Sequence, residues 1–236
     1  MNSPKKPTAK IIGVIQVKGG AGRSTVATNL AGELAKIGRT VLIDCDMPQG
    51  TSASWYAMRE QAGKVGDLVA DTAADHRELI AKTEQHAKTA EYVVLDGAPR
   101  IAEMTRAIMV LADLCLVPVG ASVAEIWATA DVLAIIEQAK KMRAIDARMI
   151  WTRHRSFTNL AKELTEQAAT ELGLPILKTS LALRVAYPEA LGAGRVCGQV
   201  PEEVGGPEVA GVGAGAGAVA LEDQVVHAGA RQHEAE

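Results

Sequence analysis

The sequence is short of aromatic side chains, with one Phe, three Tyr and three Trp among 236 residues. A core must therefore be built from Ala, Val, Ile and Leu. Apolar residues make up 48% of the chain, enough to fill one. Such a composition suits helices packed on a parallel sheet, whose buried strands read as aliphatic runs. Cysteine is equally scarce. Cys45, Cys115 and Cys197 are odd in number and scattered, which argues against a disulfide framework or a thiolate metal site and for a reducing compartment. Cys45 and Cys115 lie in apolar runs and read as small buried hydrophobes. Segment 1–10 is polar and basic, without the apolar stretch of a signal peptide, and no run is long enough to span a bilayer. The expected location is the cytoplasm, and membrane is not an expected partner.

Charge is low overall and unevenly spread. The net is −3, but residues 196–236 hold seven acidic side chains against Arg231 alone, so residues 1–195 carry +3. In that last segment 24 of 41 residues are Gly, Ala or Val, too little bulk to offset the entropy of ordering it. Three regions follow: a short basic tail at 1–10, one α/β domain at 11–195, and an acidic tail at 196–236. The tail is expected to be poorly ordered or the product of a shifted reading frame.

Within 11–195, short apolar runs alternate with helical patterns. Strands are predicted at Ile11–Val17, Thr40–Cys45, Tyr92–Asp96, Leu114–Val119, Ala147–Thr152 and Pro175–Thr179. Helices are predicted near 24–37, 51–62, 73–89, 101–112, 123–143 and 157–172, with Gly38 and Gly173 as left-handed C-caps. Repeated β-α-β units give a doubly wound, mostly parallel sheet with helices on both faces.

The first strand runs into Lys18-Gly19-Gly20-Ala21-Gly22-Arg23-Ser24-Thr25, and a helix follows. Glycines let backbone N–H groups turn inward around phosphate oxygens, and the helix start adds unpaired N–H groups and a positive dipole end. Ser24 offers a hydroxyl for Mg2+. The ordinary phosphate loop begins on glycine and carries lysine, where this chain has Val17 and Arg23. Two further elements end strands on the same sheet edge: Asp44-Cys45-Asp46-Met47-Pro48-Gln49-Gly50, and Tyr92-Val93-Val94-Leu95-Asp96-Gly97-Ala98-Pro99. One aspartate after a strand is usually a turn residue. Three elements in order on the ligand-binding edge point to a nucleotide site.

The loop from Lys18 to Thr25 resembles the deviant Walker A box of the ParA/MinD ATPases, and the sequence looks most similar to their small ParA-type partition proteins. Asp44 to Gly50 resembles their D-x-D-P-Q-G segment, with Met47 standing between Asp46 and Pro48, and Asp96 to Pro99 resembles their D-x-P-P. Pro118, Ser122 and Trp127, and later Arg184-Val185-Ala186-Tyr187 with Glu189-Ala190, are similar to two further stretches. The resemblance covers about residues 10–195. It implies a P-loop fold, ATP and Mg2+ as ligands, and slow, partner-stimulated hydrolysis of ATP to ADP and phosphate. Lys18 is implied to reach across a homodimer to the partner's nucleotide. Gly19, Gly20, Ala21, Gly22, Arg23, Ser24 and Thr25 are implied to hold phosphates, and Asp46 to orient the attacking water. Ser24, Asp44 and Asp96 are implied to serve the metal.

Arginine at position 23 keeps the charge but changes its shape, so binding is read more firmly than turnover. Two readings stay open: a partition or positioning ATPase, and a non-hydrolysing nucleotide-dependent scaffold. A small-molecule enzyme of the dethiobiotin synthetase kind is disfavoured by Lys18. For the first reading the family implies non-specific DNA, a nucleoid association and a ParB-like or other cargo adaptor. The cargo is open among a plasmid, a chromosome region, a conjugation complex and a protein compartment. The candidate DNA-contacting residues are Lys140, Lys141, Arg143, Arg153, Arg155 and Arg184. A solvated helix end with scattered charges explains that run equally well.

Overall fold

The computed structural model describes residues 9–154, 159–182, 186–197 and 221–226. Seven strands form one sheet, and every strand pair is parallel. In chain order they are β1 (Lys10–Val14), β2 (Thr40–Asp44), β3 (Leu68–Thr72), β4 (Tyr92–Asp96), β5 (Leu114–Gly120), β6 (Ala147–His154) and β7 (Ile176–Ala182). Their spatial order is β3-β2-β4-β1-β5-β6-β7. The helices are α1 (Arg23–Leu34), α2 (Thr51–Gln61), α3 (His76–His86), α4 (Ala102–Leu111), α5 (Val123–Trp127), α6 (Ala130–Lys140), α7 (Asn159–Leu172) and α8 (Ala186–Gly192).

Alternation along each central strand feeds two apolar layers. Ile12, Val14, Leu42, Val94, Leu116 and Ile150 face α1, through Val26, Leu30 and Leu34, and Trp55 of α2. Val41, Ile43, Val93, Leu95, Val117 and Met149 face the opposite layer, with Leu79 of α3, Met104 and Ile108 of α4, Ile136 of α6 and Leu164 of α7. The aliphatic runs predicted as strands are therefore the two-sided buried strands of a doubly wound sheet. Cys45, Cys115 and Cys197 are all buried free thiols. Among the described residues no helix is long and apolar enough to cross a membrane.

Four expectations need correction. Edge strand β3 went unread, because Val69 is exposed, Ala70, Asp71 and Thr72 are half-buried, and only Leu68 reaches the core. The helix expected over 123–143 is two helices. The join falls at Ala128 and Thr129, where the buried Thr129 hydroxyl donates to Glu125 O and accepts from Gln16 Nε2. α8 begins inside the motif that ends in Glu189-Ala190 and runs past it, where no helix is predicted. Gly173 does take the left-handed conformation, but Gly38 does not. A Cβ at Gly38 would lie 2.8 Å from the carboxyl carbon of the exposed Glu91 side chain, which can swing away.

Val196, Cys197 and residues 221–226, within the segment expected to be poorly ordered, are packed on the domain. The last form a short helix with Leu221 and Val225 fully buried on the α1 layer. Lys10 donates to the carbonyls of Val225 and Val226, and Gln224 accepts from Lys178 N. Upstream, residues 194–197 knit α2 to α1. Trp55 Nε1 donates to Arg195 O at 2.9 Å, Arg59 to Gly194 O at 3.1 Å, and Cys197 N to Asn29 Oδ1 at 2.7 Å. Gly194 has φ 60, and a Cβ there would stand 2.2 Å from Arg59 N, so no larger residue fits. The rest of 196–236 lies outside the described residues.

Candidate nucleotide site

β1 ends at Val14, and the chain leaves the sheet between β4 and β5, its two neighbours. Gly20 (φ 77) and Gly22 (φ 93) take left-handed conformations that turn the chain sharply into α1. Gly22 is the N-cap and has no side chain to satisfy the first helical amides. Those bare N–H groups and the helix dipole favour an anion. Thr152, at the end of β6, supports the turn: its hydroxyl donates to Ala21 O at 2.9 Å, and its methyl would lie 3.2 Å from a Cβ at Gly22.

Arg23 organises the loop from beneath. Its side chain is buried. Nε donates to Gly97 O at 2.8 Å, and Nη1 to Gln16 O and Lys18 O at 2.6 and 2.7 Å. Three carbonyls, two from the N-terminal side of the loop and one from just past β4, therefore converge on one guanidinium. Nη2 points towards Asp46, 3.9 Å from its Oδ2. The arginine expected on phosphates thus donates to three main-chain carbonyls around the loop, a task that suits a planar fork of N–H groups. Buried Gln16 adds a second brace, donating to Pro118 O and accepting from Val17 N.

The carboxylates lie beside this loop. Asp44 and Asp96 end β2 and β4 and stand directly opposite each other in register. Asp44 accepts from Asp46 N on one oxygen and Ala53 N on the other, at 3.0 and 2.9 Å, so it shapes the turn and the start of α2. Asp96 is fully buried. Ser52 donates to its Oδ2 at 2.6 Å, and the Ser24 side chain also hydrogen-bonds it. Burial first, and the Asp44 charge second, push the Asp96 carboxyl up to about 7, against the pull of Ser52, Ser24 and Arg23. Its Oδ1 is buried without a hydrogen-bond partner. Asp46 is raised more modestly, by burial and by Asp44, with Arg23 opposing.

An orphaned carboxylate oxygen next to a serine at the foot of an anion-binding helix fits Mg2+, which takes one or two protein carboxylates and completes its shell with phosphate and water. Among the described residues no three His, Cys, Asp or Glu side chains group as a metal cage.

Lys18 extends from the outer side of the loop. Its Nζ lies 2.8 Å from Glu125 Oε1 of the same chain, and Arg153 Nη2 lies 3.4 Å from that oxygen. Ser122-Val123-Ala124-Glu125 reads as a capping box, and Ser122 does cap α5 by accepting from Glu125 N. The Glu125 carboxylate turns to the two cations. Arg153 is half-exposed and has the left-handed φ of 54, rare for a non-glycine residue. Trp127, at the end of α5, is 65% exposed.

Four of the candidate DNA contacts, Lys140, Lys141, Arg143 and Arg153, lie among the described residues. Arg143 donates to Val110 O and Ala112 O, closing the ends of α4 and α6. Arg153 belongs to the rim of the loop. Lys140 pairs with Glu137 at 2.8 Å, and Lys141 is exposed beside it. Arg155 and Arg184 lie outside the described residues. Sequence reasoning missed Gln16, Ser52, Glu125 and Thr152. Only Glu125 had a local signal, three residues after Ser122.

A parallel sheet whose first strand passes through a glycine turn into an uncapped helix, with aspartates ending the neighbouring strands, defines a P-loop nucleotide-binding protein. Comparison with known proteins narrows the class. Residues 9–89 match the family model described as an AAA domain. The chain is 30% identical over 189 residues to the maintenance of carboxysome distribution protein A of Halothiobacillus neapolitanus, spanning 78% of this chain and 84% of that protein. It is 26% identical over 219 residues to the chromosome-partitioning ATPase Soj of Thermus thermophilus, spanning 80% and 87%. The fold superposes on an ATP complex of Cyanothece McdA with a TM-score of 0.72 at 16% identity, covering 93% of this chain and 96% of that one. The chain belongs to the ParA/MinD family of ATPases.

Proposed function

We propose that the chain binds Mg·ATP, dimerises around it, and hydrolyses it slowly to position a large cargo. The observation that carries this reading is the pairing of a bare α1 N-terminus with the free Oδ1 of Asp96. The loop amides and the start of α1 hold the phosphates. Ser24 and Asp96 would hold Mg2+, with Asp44 fixing the turn that leads from β2 into α2. The metal would supply charge neutralisation on the phosphoryl oxygens. Asp46, next to the Arg23 guanidinium, orients the attacking water. Lys18, on the outer side of the loop, leaves Glu125 and reaches the partner's nucleotide, so hydrolysis depends on association. ATP then favours the dimer, and its loss releases it.

For the cargo, the similarity to a carboxysome distribution protein over most of its length favours a protein compartment, linked through an adaptor protein. A chromosome or plasmid is the second reading, favoured by the similarity to Soj. In either case the dimer would travel on DNA in the cytoplasm, held non-specifically through Lys140 and Lys141 together with Arg155 and Arg184. Sedimentation with and without Mg·ATP, phosphate release, and DNA retention across a salt series test this reading. It predicts an ATP-dependent dimer, lost in Lys18→Ala, and DNA retention that falls steeply with salt. A monomer at all nucleotide concentrations would refute it.

A further inference from the structure

We infer that Ser52 is a positioning residue for the metal-side carboxylate and that it sets how much Mg2+ the site requires. The inference rests on the reading of Asp96 as that carboxylate. Ser52 lies in the first turn of α2 and is fully buried. Its hydroxyl donates to Asp96 Oδ2 at 2.6 Å, across 44 residues of sequence. The next residue, Ala53, donates its amide to Asp44 Oδ2. Two consecutive residues of one helix therefore grip the two carboxylates that end β2 and β4.

The two grips differ in kind. Asp44 has a backbone donor on each oxygen and is committed to the turn. Asp96 receives Ser52 on Oδ2 and keeps Oδ1 unpartnered. A carboxylate can rotate and exchange its two oxygens. The Ser52 bond opposes that exchange, so Oδ1 is the oxygen left for a cation's shell. Donating to an anion in a dry site also stabilises the charged form that a cation needs. The Ser24 hydroxyl can give a lone pair to the metal while its proton goes to Asp96, so it acts from the metal side. Ser52 holds the same carboxylate from a different helix.

The test follows binding of a fluorescent ATP analogue while MgCl2 is titrated, for wild type, Ser52→Ala and Ser52→Cys. A parallel measurement takes ADP affinity in EDTA. The expected result is a rise of about ten-fold or more in the Mg2+ midpoint for Ser52→Ala, from the loss of one hydrogen bond to a charged group. Ser52→Cys, a weaker donor of similar size, falls between, and metal-free ADP affinity stays within about two-fold for both. If Ser52→Ala does not fold, the Ser52→Cys midpoint alone carries the test. A Mg2+ midpoint within two-fold of wild type, or an equal loss of metal-free ADP affinity, overturns the inference and leaves the ATPase reading standing. A wild-type chain that binds the analogue without regard to Mg2+ removes both.

Discussion

Replacing Asp96 with asparagine should stabilise the nucleotide-free protein while abolishing its response to Mg2+. The carboxyl is fully buried, and burial and Asp44 raise it from 3.8 to about 7. That rise corresponds to about 4 kcal/mol of destabilisation once the group is ionised, at roughly 1.4 kcal/mol per pH unit. The folded state binds the proton more tightly than the unfolded one, so stability from this group is complete below about pH 4. It is lost as pH rises towards about 7 and is flat beyond. Asparagine keeps the shape without the charge. The rise to about 7 is already net of the Ser52 bond, so the gain at about pH 8 is on the order of 4 kcal/mol. At about pH 4 the gain vanishes or reverses. The assay is urea unfolding followed by circular dichroism, in EDTA, at both pH values for both proteins. The difference between them isolates Asp96 from other titrating groups, including Asp46, whose carboxyl is also raised. Mg·ATP should then protect the wild type and leave Asp96→Asn unmoved. An asparagine variant less stable than wild type at pH 8, or a difference that does not change with pH, would refute the reasoning.

Glu125→Gln releases Lys18 from its partner within the chain. ATP-driven dimerisation, followed by light scattering, should then occur at a protein concentration lower by up to about five-fold, the range of a half-exposed ion pair. Arg23→Lys cannot serve the Gln16, Lys18 and Gly97 carbonyls together. It should lower stability by about 1–3 kcal/mol in thermal unfolding, from the buried acceptors left unsatisfied.

The sequence made the sheet legible where strands are buried on both faces. Tyr92-Val93-Val94-Leu95-Asp96 forms the predicted strand residue for residue. Edge strand β3 lacked that run because only Leu68 faces the core. The glycine loop was legible because its chemistry is local: left-handed turns and an uncapped helix need particular residues in succession. Its supports were not. Ser52 meets Asp96, Thr152 meets Ala21, and Glu125 meets Lys18 only after distant segments pack together. Arg23 shows the limit within a motif. Its place in the motif is plain in the sequence, but the carbonyls it serves come from Gln16, Lys18 and Gly97, which only the fold brings around it.

Helix α2 is fastened at both ends, through Ser52 and Ala53 at the first turn and through Trp55 and Arg59 further along. Its eleven residues make a strut about 16 Å long. A tilt imposed at the phosphate-facing rim would be delivered, like a seesaw's, to the collar at Gly194 and Arg195. A dye attached beside that collar would therefore report loading of a pocket it never touches.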